Sequence, residues 1–501
     1  MTDKESTDLS RGEMNVWRGA SIFVAVFCIA TLTINAQSYD TVIANGRVID
    51  PESGLNAVRN IGITNGKVVI VTSKRLIGKT IVEARKLVVA PGFIDLNTYG
   101  MPQDNDRFRA MDGVATALDL EGGTGDVDLW YRARAGRSAL NYGVGIGHEP
   151  VRMAVMKAPI KLSLFGEYIN SATGDAARKP ASETELNEIK RLVERGLRQG
   201  AVSVSFGIEY TPGASPWEIL EMFRLAAKYG ASCHVHMRSL ENHYFLETEE
   251  MIAASVITGA PVHIKHIHSS CGPDSAQCLQ ILNEARTSGV KITTETYPYT
   301  VGMTNIESSL FDGWEGKPDE YFARMTWAKT GEQITKQNMA EFRKIGGWVA
   351  VYPRNSEAAE RSLRAAIAHP LTMIASDGTQ GADGSGHPRS SGTYARILGR
   401  YVREEKLIQL VDAIRKMTLM PALQLEGRVP AMKNKGRIRV GADADIVIFD
   451  PNTIIDRSTF EEPAKQSEGV RFLMIGGSFV VKGGKFQAGV FHGRPIRAAS
   501  R

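Results

Sequence analysis

The sequence predicts an α/β protein: a TIM-like (β/α)8 barrel with a small β-domain assembled from both chain ends. Three observations lead there. Eight apolar runs alternate with helical stretches through the middle of the chain. Short strand-like segments with hairpin turns occupy both ends. The length, 501 residues, accommodates one large barrel plus a smaller domain.

The N-terminus stands outside this pattern. Met1 to Ala20 is polar, and Ser21 to Ile34 (SIFVAVFCIATLTI) is apolar but short for a membrane span. Ile34-Asn35-Ala36 before Gln37 resembles a cleavage site, so residues 1–36 are read as a signal peptide. An uncleaved N-terminal anchor is the alternative. Either way the body is exported, periplasmic or extracellular, with no stable membrane partner once the leader is removed. Residues 37–86 then carry strand candidates, with hairpin signals at Asn45-Gly46 and Asn65-Gly66. The same texture returns over 431–501, in GRIRVGADADIVIFDP and RFLMIGGSFVVKGGKF.

Residues 87–430 are the barrel. Its strand candidates are Leu87–Asn97, Val114–Gly123, Gly143–Glu149, Ala201–Tyr210, Ser232–Arg238, Pro261–His268, Lys291–Tyr299 and Leu371–Asp377. Helical candidates include Glu183–Gln199, Pro216–Tyr229, Glu249–Thr258 and Cys278–Thr287. Near-continuous apolar runs suit parallel strands buried on both faces. A doubly wound open sheet is the alternative, but no GxGxxG turn follows the first strand. Residues about 306–347 exceed a simple βα link and read as an insertion over the barrel mouth.

Composition narrows the function. Net charge is only +5, and no basic tract is interleaved with aromatics, which argues against nucleic acid. The 4 Cys include no CxxC pair, which argues against zinc ribbons and thioredoxin-like chemistry. Cys271 and Cys278 are close enough to pair, but spacing alone does not decide it.

In a barrel, polar groups at the C-terminal strand ends face the active site. Here those ends carry Glu121, Tyr210, His234, His236, His266, His268, Tyr297, Tyr299 and Asp377. Of 10 His, five fall within two consecutive strands. Strand parity puts His266 and His268 on one face and His263 on the other, against a helix. His234 and His236 also share a face. His234 lies one layer deeper and reads as a hydrogen-bonded core histidine, or one that supports a ligand. His236 and His266 end their apolar runs and are the better metal ligands. His268 stays open between ligand, substrate contact and neither.

The stretch APGFIDLNTYG, with Asp95, Asn97 and Tyr99 on one strand face, resembles the first barrel strand of the amidohydrolase superfamily, whose pattern is roughly APGFIDxHxH. Further stretches, including VATALDLEGG, GIEYTPGAS, TETYPYTVGMTNIESSLFDGW, ASDG, GHPR and KGRIRVGADADIVIFDP, are similar to N-acyl-D-amino-acid deacylases, and most to the D-aminoacylase and D-glutamate deacylase branch. The resemblance spans Tyr39 to about Arg497. It implies that the β-domain is a sandwich and that Glu121, His236 and His266 hold metal. It further implies that Asp377 is the catalytic aspartate, that Arg389 holds the substrate carboxylate, and that Tyr210 and Tyr297 line the pocket. His268 stands where the family has a substrate-contacting lysine. Asn97 and Tyr99 replace two histidine ligands, and both are poor zinc ligands.

The expectation is therefore one Zn2+ per chain, with three protein ligands and one open place for water. The expected activity is hydrolysis of the amide of a small-molecule acylated amino acid, with N-acyl-D-glutamate one candidate. Two alternatives stand beside it: a catalytically degenerate barrel that binds a small molecule, and a dipeptidase or cyclic-amide hydrolase. Oligomeric state is open.

Overall fold

The computed structural model describes residues 38–99, 105–161, 170–238, 244–378, 380–381 and 384–499. The expected signal peptide, 1–36, lies outside the described residues. Among the described residues, no helix is long and apolar enough to cross a membrane.

Eight parallel strands form the central sheet: β1 Phe93–Asp95, β2 Val114–Thr124, β3 Asn141–Gly147, β4 Ser203–Gly207, β5 Ser232–His236, β6 Val262–Ile264, β7 Ile292–Thr296 and β8 Thr372–Ile374. Each pairs with the next in chain order. β8 returns to β1 just beyond the strand ends: Thr98 and Gly378 form a parallel bridge, and Tyr99 N–H donates to Gly378 O at 2.8 Å. The barrel thus closes at its C-terminal rim.

Side chains alternate sharply along the strands. Val204, Phe206, Cys233, Val235, Val262 and Ile264 join the large apolar core with helix residues such as Val193, Leu197, Met222 and Phe223. Each fully buried side chain of this size contributes roughly 1.5–3 kcal/mol. The inner face is polar instead. Ser205, His234, His263 and Thr293 lie side by side in register across four strands. Lys265 crosses the lumen, its Nζ donating to Leu96 O at 3.1 Å and lying 3.4 Å from Glu295 Oε1. His263, expected against a helix, instead lies on this inner face, bonded to Glu295 at 2.9 Å and Thr293 at 2.8 Å.

The surrounding helices begin where local chemistry dictates. Glu183–Arg198 opens with a capping box between Ser182 and Glu185. Pro216–Lys228 has Ser215 as its cap and Pro at its first position. The two C-terminal candidates are longer than expected, Tyr244–Thr258 and Ser275–Thr287. Cys271 and Cys278 form a disulfide that ties the segment after β6 to the second of these helices.

The first strand candidate, Leu87–Asn97, divides in two. Val88–Pro91 belongs to the β-domain, pairing antiparallel with Ile446–Phe449, and only Phe93–Asp95 enters the barrel. Gly92 makes the crossing: a Cβ there would lie 2.3 Å from that of Ala115. The β-domain is one nine-stranded sheet built from both chain ends. It curls until Lys67 bridges Asp443, enclosing a core that includes Ile43, Ile61, Val68, Ile446 and Met474.

The insertion is an organised unit. Strands Gly302–Asn305, Met325–Trp327, Glu332–Gln333 and Trp348–Val351 form a four-stranded antiparallel sheet over Ile306, Phe311, Phe322, Met339 and Phe342. It reaches the barrel mouth through Thr304 and Ser309, which donate to the hydroxyl and the backbone carbonyl of Tyr210.

An ionic cluster joins the β-domain to the barrel. Lys435 Nζ lies 2.5 Å from Asp445 and 3.1 Å from Asp443, and Asp443 meets Lys67 at 2.6 Å. Asp445 also accepts from Asn141 of β3 at 2.8 Å. Burial would raise the Asp443 pKa, but Lys435 and Lys67 outweigh it and hold it below the ordinary 3.8. A depressed folded-state pKa means that this stabilisation is complete above 3.8 and is lost as pH falls through the lower folded value. Lys435→Met leaves the buried Asp445 carboxylate without its cation, while Asp443 keeps Lys67, and should cost about 3–5 kcal/mol. A urea unfolding midpoint unchanged from wild type at neutral pH would contradict this.

Candidate metal centre and active site

Glu121 is the hub of the barrel mouth. It sits on β2 and is only 2% exposed. Its Oε1 lies 2.8 Å from His236 Nδ1, and its Oε2 lies 3.6 Å from His266 Nε2. Donor atoms of Glu121, His236 and His266 all fall within 4.8 Å of one another. Tetrahedral zinc bonds of about 2.0–2.1 Å place neighbouring donors about 3.3 Å apart, so these spacings bracket what one ion needs. Two imidazoles and a carboxylate also match zinc's donor preference. The residues fit a metal ion.

Electrostatics favour the charged acid. Burial alone would raise the Glu121 pKa, but His266 and His236 outweigh it and hold it well below the usual carboxylate range. Burial would likewise depress His236, yet Glu209 and Glu121 hold it well above its ordinary value. His236 Nε2 faces Glu209 Oε2 at 2.5 Å.

Asn97 and Tyr99, the replaced ligand positions, are filled rather than vacant. Asn97 Nδ2 donates to Glu121 Oε2 at 2.8 Å and lies 3.4 Å from Asp377 Oδ1. It spans the two carboxylates. Burial, with Glu121 and Asp377 nearby, keeps the Tyr99 phenol protonated and hydrogen-bonded to Glu121.

Asp377 follows β8 in a left-handed conformation, φ 49°, and His266 follows β6 at φ 27°. Non-glycine residues seldom adopt positive φ, and such strain concentrates at functional sites. The Asp377 carboxyl is pushed up to about 6, mainly by burial, with Arg389 opposing and Glu121 reinforcing. Arg389 Nη1 pairs with Asp377 Oδ2 at 2.8 Å, and the guanidinium stacks 4.4 Å from the centre of the Tyr297 ring. Arg389 Nε is buried with no hydrogen-bond partner among the described residues.

Tyr210 sets its ring edge-on to His236 at 5.2 Å, and Tyr297 lies 6.1 Å from His266. Burial raises the pKa of both phenols. His268 is placed differently from the sequence expectation. β6 ends at Ile264, so strand parity does not extend to it, and it lies on a short helix, Ile267–Ser270. Both ring nitrogens are engaged, Nδ1 with Thr296 at 2.7 Å and Nε2 with Tyr299 O at 3.0 Å. That leaves no nitrogen for metal or substrate, and burial pushes its pKa down to about 3. His234 is the core histidine expected, 3.1 Å from Ser232 Oγ.

Residues 133–481 match the sequence pattern of the Amidohydrolase family. The chain belongs to the amidohydrolase family. An N-acyl-D-glutamate deacylase of Alcaligenes xylosoxydans xylosoxydans is 28% identical over 495 residues, covering 89% of this chain and 94% of that one. Two solved structures share the fold over 92% of this chain and 100% of theirs. One is an N-acyl-D-glutamate deacylase from Bordetella bronchiseptica, complexed with zinc and a phosphonate inhibitor (TM-score 0.76, 23% identity). The other is a D-aminoacylase with a binuclear metal centre, described by one-metal activation and second-metal attenuation (TM-score 0.75, 22% identity).

Sequence reasoning missed Glu209 in this amidohydrolase site. Its signal was present in GIEYTPGAS, an acid immediately before Tyr210 at the end of a strand. It also missed the Arg389–Asp377 pair. Removing that guanidinium as Arg389→Leu strands a buried carboxylate, which should cost about 3–5 kcal/mol. The Asp377 pKa should also rise above about 6, because Arg389 is the leading group that lowers it. Infrared titration of the metal-free protein, with urea unfolding alongside, reads both effects; an unmoved carboxyl band and midpoint would refute the pairing.

Proposed function

We propose that this protein is an exported, zinc-dependent hydrolase of N-acyl-D-amino acids that uses one ion per chain. The observation that carries the reading is the convergence of Glu121, His236 and His266 within 4.8 Å, at the same barrel rim as Asp377 and Arg389. The deacylase relatives supply the substrate class, N-acyl-D-glutamate among the candidates. A zinc ion on the three ligands would supply Lewis acidity toward the amide carbonyl and acidify water.

The chain's own residues supply the rest. Asp377, with its carboxyl near 6, is suited to take the proton of the attacking water. It returns that proton to the amide nitrogen as the C–N bond breaks, giving the free amine and a carboxylate. Arg389 offers Nε to the α-carboxylate of the substrate. Thr304 donates to the Tyr210 oxygen, which leaves the phenolic proton to hydrogen-bond the carbonyl oxygen as it gains charge. The Tyr297 ring stacks against the Arg389 guanidinium.

Asn97 supports the single-ion reading. Its amide nitrogen lies between Glu121 and Asp377, doing with two N–H donors what a second cation would do with charge. Elemental analysis should return one zinc per chain, and a chelator should abolish hydrolysis across a panel of N-acetyl-D-amino acids. Glu121→Gln should abolish metal binding, and Asp377→Asn should lower kcat about 10²–10⁴-fold while metal stays bound. Bound zinc with no turnover on that panel, on dipeptides or on cyclic amides would leave only a small-molecule binding role.

The apolar run Ser21 to Ile34 supports export. So does the Cys271–Cys278 disulfide, because such bonds persist in oxidising compartments. Mass spectrometry of the protein from its native host should find a mature N-terminus at Gln37. A cytosolic protein that retains Met1 would overturn this part of the proposal.

A further inference from the structure

Resting on the metal-centre reading above, we infer that Glu209 is a positioning residue: it fixes the His236 ring so that Nδ1, not Nε2, is presented to the ion. A neutral imidazole carries one N–H and one lone pair, and the partner of one nitrogen decides which is which. His236 lies between two carboxylates, Glu121 at Nδ1 (2.8 Å) and Glu209 at Nε2 (2.5 Å). Only Glu121 is shared with His266. The ion-facing side of the ring is therefore Nδ1, and Nε2–H donates to Glu209.

The backbone builds this contact. Register sets Gly207 of β4 directly beside His236 of β5. The chain then turns at once into a single 3-10 turn, Ile208–Tyr210, which brings Glu209 back to the ring edge. Gly207 allows the turn to fold this tightly, since a Cβ there would lie 2.7 Å from the Tyr210 ring. The His236 ring is also met edge-on by Tyr210 at 5.2 Å and by His266 at 4.4 Å. His266 solves the same problem with a weaker acceptor: its Nδ1 lies 3.1 Å from Ser270 Oγ, leaving Nε2 toward Glu121. A carboxylate behind a ligand imidazole both orients it and makes it a stronger base toward metal, and loss of such a group commonly weakens binding 10–100-fold.

The test compares Zn2+ affinity of the full-length mature protein, measured by competition with a chromophoric chelator, for wild type, Glu209→Leu and Glu209→Gln. Glu209→Leu should bind zinc about 10–100-fold more weakly. Glu209→Gln should fall between, because its amide oxygen still accepts from Nε2–H but carries no charge. At saturating zinc, kcat should return most of the way to wild type in both variants, as expected of a group that acts through His236 rather than on the substrate. Equal affinity in all three proteins overturns the inference, and so does a kcat that stays low at saturating zinc. If Glu209→Leu does not fold by circular dichroism, Glu209→Gln decides, and unchanged affinity there overturns it. Wild-type protein that binds no zinc would sink the metal centre itself, a failure distinct from tight wild-type binding that ignores Glu209.

Discussion

The barrel mouth is organised by one constraint: a carboxylate buried to 2% exposure must keep its charge. Taking such a group out of water costs several kcal/mol unless its lone pairs are met by donors or cations. Glu121 is met from three sides, by His236, by Asn97 and Tyr99 together from one strand end, and by the facing edge of His266. Because each of these comes from a different strand end, satisfying one side chain aligns three segments far apart in sequence. Asp377 and Arg389 form a second charged pair whose distance from the first is bridged by Asn97. The same atoms that offset burial are those a metal ion and substrate would engage.

The lumen beneath continues this logic. TIM-barrel interiors are usually filled by branched aliphatic side chains. Here Ser203, Ser205, His234, His263, Lys265 and Glu295 occupy it, all nearly or fully buried. Lys265 and His263 both meet Glu295, and Lys265 also reaches Leu96 on the far wall. Polar groups in a low-dielectric interior hold one another in fixed geometry when fully satisfied. The floor of the site is a polar, mostly hydrogen-bonded layer rather than an apolar plug, in which His234 Nδ1 and Glu295 Oε1 have no hydrogen-bond partner among the described residues.

What the amino-acid order revealed and what it concealed divide along physical lines. Asn65-Gly66 is a local signal that the structure bears out, turning the chain between Leu55–Thr64 and Lys67–Thr72. Asn45-Gly46, expected to turn a hairpin, lies instead inside the strand Ser38–Asp50 as an irregularity in its pairing; the β-domain is nonetheless built from both ends. His236 and His266 were legible as candidate ligands because each closes an apolar run, and Glu121 joined them only through the resemblance to the deacylases; the structure brings donor atoms of the three within 4.8 Å of one another. Parity failed at His268 because β6 stops at Ile264 and His266 takes a left-handed backbone, which no periodicity foretells. It failed at His263 too, where the polar lumen reversed the usual inside–outside expectation. Glu209 was hidden by a turn too short to carry a pattern. Asn97 looked like a lost ligand because composition records what a residue is not; its bond to Glu121 becomes visible only in three dimensions. The Asp377–Arg389 pair likewise depends on the path of the loop between them.

The nine-stranded sheet has a consequence for the order of assembly. Ser38–Asp50, Leu55–Thr64 and Lys67–Thr72 are the first strands made, yet Val88–Pro91 gains its outer neighbour only when Ile446–Phe449 arrives. A ribosome must add the whole barrel in between. Until then the early strands present an open hydrogen-bonding edge, a surface prone to pairing with other chains. The barrel therefore matures beside an unfinished companion, and the strands from Ile446 to Phe486 are the clasp that retires that hazard.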